Sequence, residues 1–164
     1  MADTMWIRLL QDLDYCEQEI AANTCKNDSW LYHMVDTTTN LSPKFRIAYA
    51  VGGLALTILI SDIDGATKIF DKSVKAFPHD WPILYRAAYH YLYEVKDNRR
   101  AAELLIEAAN NGAPPWTRVL AGRLYSDSGD VELAEKLLQE MKDSGQDQLL
   151  IERLQKKIDS IKAN

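Results

Sequence analysis

The chain has 164 residues, of which 47% are hydrophobic and 26% are charged, as is usual for one globular domain. Its net charge of −5 argues against a nucleic-acid backbone as the main partner, because phosphate binding relies on clustered Lys and Arg. Two cysteines, Cys16 and Cys25, are too few for a disulfide framework or a zinc site, and we expect both to be reduced thiols.

Neither the N-terminal segment nor the apolar runs indicate a membrane protein. The start, MADTMWIRLLQDLD, carries charges every few residues, which is not typical of a secretory signal. The longest apolar run, residues 48–60, has about 13 residues against the ~20 that a spanning helix needs, so it is predicted to be a buried helix. We therefore expect a cytoplasmic protein with no membrane partner.

Proline, glycine and capping residues divide the chain into about nine predicted helices, and no strand pattern competes. Ser29 and Asp80 suit N-cap positions, and three prolines suit first turns, where a missing N–H costs nothing: Pro43, Pro82 and Pro115. Four glycines are predicted to lie between helices: Gly65, Gly112, Gly129 and Gly145. The predicted helices cover residues 4–24, 29–39, 44–60, 64–76, 80–94, 97–110, 114–127, 130–142 and 147–162.

A helix-turn-helix pattern recurs along the chain. It is clearest in AGRLYSDSGDVELAEKLLQEM, residues 121–141, where small residues on both sides of a Gly129-Asp130 break lie where two helices must approach closely. A small or apolar residue followed four positions later by another apolar residue recurs in steps of 35, 35 and 33 residues, beginning at Leu31, Ala66, Ala101 and Ala134. Internal repetition at this period is typical of stacked helical repeats.

This pattern resembles the tetratricopeptide repeat (TPR), a pair of antiparallel helices of about 34 residues whose signature includes L-G-x2-Y, A-x3-F and P. The resemblance covers nearly the whole chain and is clearest in residues 47–141. It implies an all-α fold, a right-handed α-solenoid of about four units in a single domain, residues 1–164. The units would cover about residues 12–45, 47–80, 81–114 and 115–146, followed by a C-terminal capping helix at 147–162.

The stretch YRAAYHYLY, residues 85–93, holds four of the eight tyrosines. At about 100° per residue, Tyr91 shares a face with Leu84 and Ala88, the packing positions of the repeat, and is predicted to be core. The other three tyrosines lie on a second stripe of the helix. The TPR resemblance implies that this stripe lines the concave groove of the solenoid.

Equivalent positions in the neighbouring units extend the predicted groove. Its partner-binding residues are Tyr85, Arg86, Tyr89, Tyr93, Trp116, Arg123, Val51 and Ala55. Aromatic residues and arginine concentrate binding energy at protein interfaces, and arginine pairs well with carboxylates. We therefore expect a partner protein or peptide segment with apolar and acidic side chains.

The predicted groove favours a non-enzymatic adaptor or scaffold that binds a segment of another protein. The alternative is a self-assembling structural protein that uses the same aromatic face as a homo-oligomer interface. A third arrangement, in which the first helix of the chain fills the groove, would make the rings structural.

Signals for catalysis are weak. His33, His79 and His90 fall in separate units without metal-ligand spacing and are expected to be surface or capping histidines. We expect no enzymatic activity, no metal and no other cofactor.

Two further motifs have simpler explanations than a ligand site. The segment SDIDG, residues 61–65, lacks the remaining ligands of a calcium loop, so we expect a helix boundary there. Gly52-Gly53 is not followed by the Lys-Ser/Thr of a phosphate loop and is expected to be a small-residue contact inside a helix.

Overall fold

The computed structural model of the chain describes residues 1–11 and 30–163. None of these residues lies in a strand, which confirms the predicted all-α class. The helices are α1 (Ala2–Gln11), α2 (Trp30–Leu41), α3 (Arg46–Ile58), α4 (Ile63–Ala76), α5 (Trp81–His90), α6 (Asn98–Asn110), α7 (Trp116–Asp127), α8 (Val131–Asp143) and α9 (Gln148–Lys162), with a π-helical turn at Tyr91–Val95 after α5. Over the same residues, no helix is long and apolar enough to cross a membrane.

The predicted helix bounds agree with the structure to within two residues from α2 onward, except at the end of α5. There the predicted helix 80–94 changes from α to π geometry at Tyr91. The first predicted helix, 4–24, is confirmed only over α1. Its remainder, together with Cys16, Cys25 and the predicted N-cap Ser29, lies outside the described residues.

Side-chain caps and positive-φ glycines explain several of the helix ends. Asp80 Oδ1 accepts a hydrogen bond from the Ile83 N–H at 3.3 Å, as expected of an N-cap. Asp62 Oδ1 accepts from the Gly65 N–H at 2.8 Å, so the SDIDG segment is a helix boundary, as predicted. Gly112 follows α6 in the left-handed region, with φ of +93°, which favours glycine.

Three predictions about prolines and glycines at helix boundaries were wrong in detail. Gly65 does not separate two helices but lies in the first turn of α4. Pro43 precedes α3 by three residues, and Pro115 is the N-cap residue of α7 rather than part of its first turn. Pro82 does lie in the first turn of α5.

The chain forms two compact units, Met1–Pro78 and His79–Asn164. In Met1–Pro78, α2 contacts α1, α3 and α4, and α3 packs on α4. Glycines in α3 permit this close packing, as predicted for Gly52-Gly53. A Cβ at Gly52 would lie 2.6 Å from Val35 Cγ1, and one at Gly53 would lie 2.8 Å from Phe70 Cζ.

In His79–Asn164, α6 packs between α5 and α7, and α7 contacts both α8 and α9. Gly122 of α7 lies against Leu154 of α9, where a Cβ would be 2.6 Å from both Leu154 Cδ atoms. Five residues further along α7, Asp127 pairs with Lys157 of α9 at 2.7 Å. Because both contacts advance together along the two helices, α7 and α9 run in the same direction.

Helix α8 runs opposite to α9. Lys142, near the end of α8, donates to Gln155 Oε1 at 3.0 Å, whereas Glu135, near the start of α8, pairs with Lys162 at the end of α9. The helices α7, α8 and α9 therefore reverse direction twice. As a result, α7 and α9 lie side by side in parallel.

Candidate functional site

Two of the clustered tyrosines form part of the protein surface. The side chains of Tyr89 and Tyr93 are 51% and 48% exposed, and their ring centroids lie 4.3 Å apart. Tyr91 is buried, as predicted. The π-helical turn begins at Tyr91, and the chain leaves it through Lys96 in the left-handed conformation, with φ of +65°. Irregular helical turns of this type are frequent at functional sites.

His90 contradicts its prediction, because its side chain is only 3% exposed and is neither a surface nor a capping histidine. It continues the row formed by Ile83 and Ala87, which are both buried. Residues spaced in this way share one face of a helix. His90 is therefore buried because it lies on the packed face of α5, although its ring is polar.

Tyr85 and Trp116 form the walls of a cleft at the beginning of α5 and α7. Their ring centroids lie 5.7 Å apart, and the ring planes meet at 88°, an edge-to-face arrangement that aromatic pairs favour. The cleft has a volume of about 390 Å³. We call it the aromatic cleft, and it is lined by Trp81, Pro82, Tyr85, Arg86, Pro114 and Trp116.

A second cleft, of about 530 Å³, lies between α7 and α9, and we call it the basic cleft. Its apolar lining consists of Trp116, Val119, Leu120 and Leu150. Its basic lining consists of Arg123, Arg153, Lys156 and Lys157, with Ser160 beside them. Trp116 lines both clefts, so the two are adjacent.

Most of the cations around these clefts have no acidic partner among the residues that the structure describes. Lys157 pairs with Asp127 at 2.7 Å. Within residues 1–11 and 30–163, no carboxylate forms an ion pair with Arg86, Arg123, Arg153 or Lys156, and all four side chains are exposed. The basic cleft therefore presents positive charge beside an apolar lining, in a chain whose net charge is negative.

The predicted partner-binding residues divide between the two units. Tyr85, Arg86 and Trp116 line the aromatic cleft, and Trp116 and Arg123 line the basic cleft. Tyr89 and Tyr93 are exposed further along the same chain segment.

The remaining two, Val51 and Ala55, lie on α3 in Met1–Pro78. Val51 is half-buried, and Ala55 is only 7% exposed, which leaves almost none of its side chain for a partner to contact.

The contribution of α9 to the site was not predicted from the sequence. The TPR resemblance implies only a capping role for this helix, yet Arg153 and Lys156 line the basic cleft. The available signal was the spacing of Arg153, Lys156 and Lys157, which places three cations on one side of a helix. That spacing could not show which neighbouring helix the cations face.

No group of three or more His, Cys, Asp or Glu side chains is placed to hold a metal ion in the part of the chain that the structure describes. The polar groups of the two clefts are mainly cationic donors, which suit anionic ligands. Comparisons of the chain with protein-family models, with curated proteins and with solved structures find no match.

Proposed function

We propose that this chain is a non-enzymatic adaptor that binds a segment of a partner protein through an aromatic and arginine-rich surface of the unit His79–Asn164. The observation that carries the proposal is the exposure of Tyr89, Tyr93 and Trp116. Trp116 is 44% exposed and lines the same cleft as Arg123, which has no ion-pair partner among the residues that the structure describes. Aromatic rings and arginine are the residue types that dominate binding energy at protein interfaces.

The same proposal assigns the fold to the TPR type, a solenoid of helix-turn-helix units. Antiparallel neighbours such as α8 and α9 support this assignment, as does the parallel packing of α7 and α9 with the small residue Gly122 at their contact. The repeat spacing of about 34 residues in the sequence is independent support.

Affinity capture with a variant of the aromatic and arginine-rich surface tests the proposal. The full chain is immobilised on a support and incubated with a cytosolic extract of its organism, because the sequence predicts a cytoplasmic protein. The captured proteins are then identified by mass spectrometry. We expect a specific partner to be retained by the wild type and lost with the triple variant Tyr85→Ala/Tyr89→Ala/Arg123→Ala. Truncation of a good interface anchor costs ~2 kcal/mol or more, so three together should abolish capture.

A matched control changes three exposed residues elsewhere in the same unit. Leu133, Lys136 and Glu140 lie on one exposed face of α8, outside the lining of both clefts. The variant Leu133→Ala/Lys136→Ala/Glu140→Ala should retain the partner. Equal loss in both triple variants, or equal retention, would contradict an adaptor role for this surface.

Self-assembly is distinguished by solution mass. If the aromatic surface joins copies of the chain, the wild type is an oligomer at micromolar concentration and Tyr89→Ala is a smaller species. The adaptor proposal expects the same mass for both proteins.

A further inference from the structure

We propose that the aromatic cleft and the basic cleft together form one bipartite site for an acidic peptide segment. In this arrangement an apolar side chain of the segment occupies the aromatic cleft, and at least two carboxylates meet Arg123, Arg153 and Lys156 in the basic cleft. The inference rests on the proposed adaptor function and assigns the apolar and the acidic side chains of the partner to separate clefts. It also adds α9 to the site.

Trp116 makes the two clefts one site. It forms the edge-to-face pair with Tyr85 on one side and contributes to the α7–α9 lining on the other. A chain that rests on Trp116 therefore reaches both clefts without crossing intervening surface. The aromatic cleft is lined by rings and two prolines with a single charge, Arg86, so it suits an apolar side chain.

The basic cleft is suited to carboxylates. Three of its four cations are exposed and have no acidic partner among the residues that the structure describes. Arginine binds a carboxylate with two parallel hydrogen bonds, and charge-assisted hydrogen bonds of this kind are about twice as strong as neutral ones. Arg123 approaches from α7, whereas Arg153 and Lys156 approach from α9. Carboxylates on one segment would thus be held from both sides.

The dimensions of the cleft fit a short stretch of peptide. Its α9 lining extends from Leu150 to Ser160, which is ~15 Å at 1.5 Å per helical residue. An extended peptide of about four or five residues covers that distance at ~3.3 Å per residue. A segment of about that length can carry the carboxylates, and the residues beside it reach Trp116.

Other anionic partners fit less well. The three cations that lack an acidic partner in the described part of the chain are few compared with the roughly six to ten phosphate contacts that a DNA-binding protein can make, and phosphates would leave the apolar lining unused. Among the apolar lining residues Val119 is buried, while Leu120 and Leu150 are partly exposed. A peptide can cover these apolar atoms and neutralise the cations at the same time.

A displayed library of random peptides of about twelve residues, long enough to span both clefts when extended, is the probe. Selection on the full chain should enrich peptides that combine an aromatic or aliphatic residue with two or more Asp or Glu. Failure to enrich any peptide, or enrichment without an excess of acidic residues, would overturn the inference.

Charge-removing variants then test the selected peptides. The double variant Arg153→Gln/Lys156→Gln should bind them at least about tenfold more weakly than the wild type, because each lost charge pair is replaced by a weaker neutral contact. The matched control Lys75→Gln/Lys136→Gln removes the same charge from exposed positions outside both clefts, and should bind within about twofold of the wild type. Equal effects of the two double variants would contradict the inference.

The two halves of the site are separated with peptide variants. Replacing Asp and Glu by Asn and Gln should abolish the difference between wild type and Arg153→Gln/Lys156→Gln. Replacing the apolar anchor by Gly should abolish the effect of Tyr85→Ala. If the peptide binds with unchanged affinity when either its acidic residues or its apolar anchor is removed, the bipartite arrangement is overturned.

Competing occupants give distinct results. Tighter binding to vesicles rich in phosphatidylserine, or to single-stranded DNA, than to the selected peptides would overturn the inference. A dimer that dissociates in Arg153→Gln/Lys156→Gln would reassign the cleft to a second copy of the chain and would also overturn it.

The failure of this inference can be distinguished from failure of the adaptor proposal. If the captured natural partner binds Arg153→Gln/Lys156→Gln as well as the wild type but is lost with Tyr85→Ala/Tyr89→Ala/Arg123→Ala, the α9 contribution is wrong and the adaptor function stands. If neither variant affects capture, both proposals are wrong.

Discussion

Lys72 on α4 and Asp36 on α2 form an ion pair, with 2.7 Å between Nζ and Oδ1. The same ammonium lies 2.8 Å from Thr39 Oγ1 and 2.7 Å from Asn40 Oδ1, and it also reaches the Asp36 carbonyl oxygen at 3.0 Å. All of these acceptors belong to the last two turns of α2. A cation at this end of a helix is stabilised by the partial negative charge of the terminal carbonyl groups.

The first prediction concerns this contact. Lys72→Met should lower the free energy of unfolding by about 1–2 kcal/mol, more than a simple surface ion pair, because several partly buried acceptors lose their donor together. The measurement is urea unfolding followed by circular dichroism. Lys75→Met, on the same helix at an exposed position, is the control and should change stability little. Equal stability of the two variants would show that the Lys72 contacts contribute nothing net.

The second prediction concerns the contact of α7 with α9. Gly122→Leu should destabilise the fold by about 1–3 kcal/mol, because its side chain would enter space that Leu154 already fills. The test is a double-mutant cycle with Leu154→Ala, which by itself should cost about 2–5 kcal/mol through a cavity. Because the added side chain can occupy that cavity, the double variant should be less destabilised than the sum. Strict additivity would argue against direct contact.

A third prediction compares surface and packing positions. Tyr85→Ala/Tyr89→Ala/Arg123→Ala should retain the helical circular dichroism signal and melt close to the wild type, since Tyr89 and Arg123 are exposed and Tyr85 is partly so. Ala88 is buried, and Ala88→Leu should therefore overpack α5 and cost about 1–3 kcal/mol. If the triple variant melts as early as Ala88→Leu, the rings are structural.

The fourth prediction concerns alkaline pH. Burial raises the pKa of Tyr49 and of Tyr125 above the usual value of 10.0. The folded chain therefore holds these protons at pH values where the unfolded chain has released them, so the free energy of unfolding should fall as pH rises through 10. Urea unfolding at pH 8, 10 and 11 measures this slope.

Tyr49→Phe is the matched variant for the alkaline prediction. It removes the ionisable hydroxyl, which lies 3.3 Å from the Pro43 carbonyl oxygen and 3.4 Å from that of Thr39. The variant should lose about 0.5–1.5 kcal/mol at neutral pH, and its stability should depend less on pH above 10. An unchanged slope would mean that Tyr49 does not contribute to alkaline destabilisation.

Residues close together in the chain were sufficient to predict most of the secondary structure. Asp80 and Pro82 mark the start of α5, and Gly112 marks the end of α6, because capping and positive φ depend on neighbouring residues only. The π-helical turn at Tyr91 was not predicted. Its sequence is compatible with a regular helix, and no local residue in YLYEV requires the change.

The candidate site was predicted in part. The sequence correctly predicted that Tyr91 is buried and that Tyr89 and Tyr93 are exposed, although Tyr91 and Tyr93 lie in the π-helical turn and not in α5. The prediction that His90 is a surface or capping histidine was wrong, because His90 lies in the buried row of Ile83 and Ala87. Arg153 and Lys156 were not included at all.

The amino-acid sequence by itself determined the all-α class, nearly all helix bounds from α2 onward and the exposure of the Tyr89 and Tyr93 rings, because each of these depends on residues close together in the chain. Only the tertiary structure decided that α9 lies parallel to α7 with Arg153 and Lys156 beside Trp116 and Arg123. That placement depends on the contact between Gly122 and Leu154, two residues far apart in sequence. The helical period determines which side chains share a face, whereas packing between helices determines which residues that face contacts.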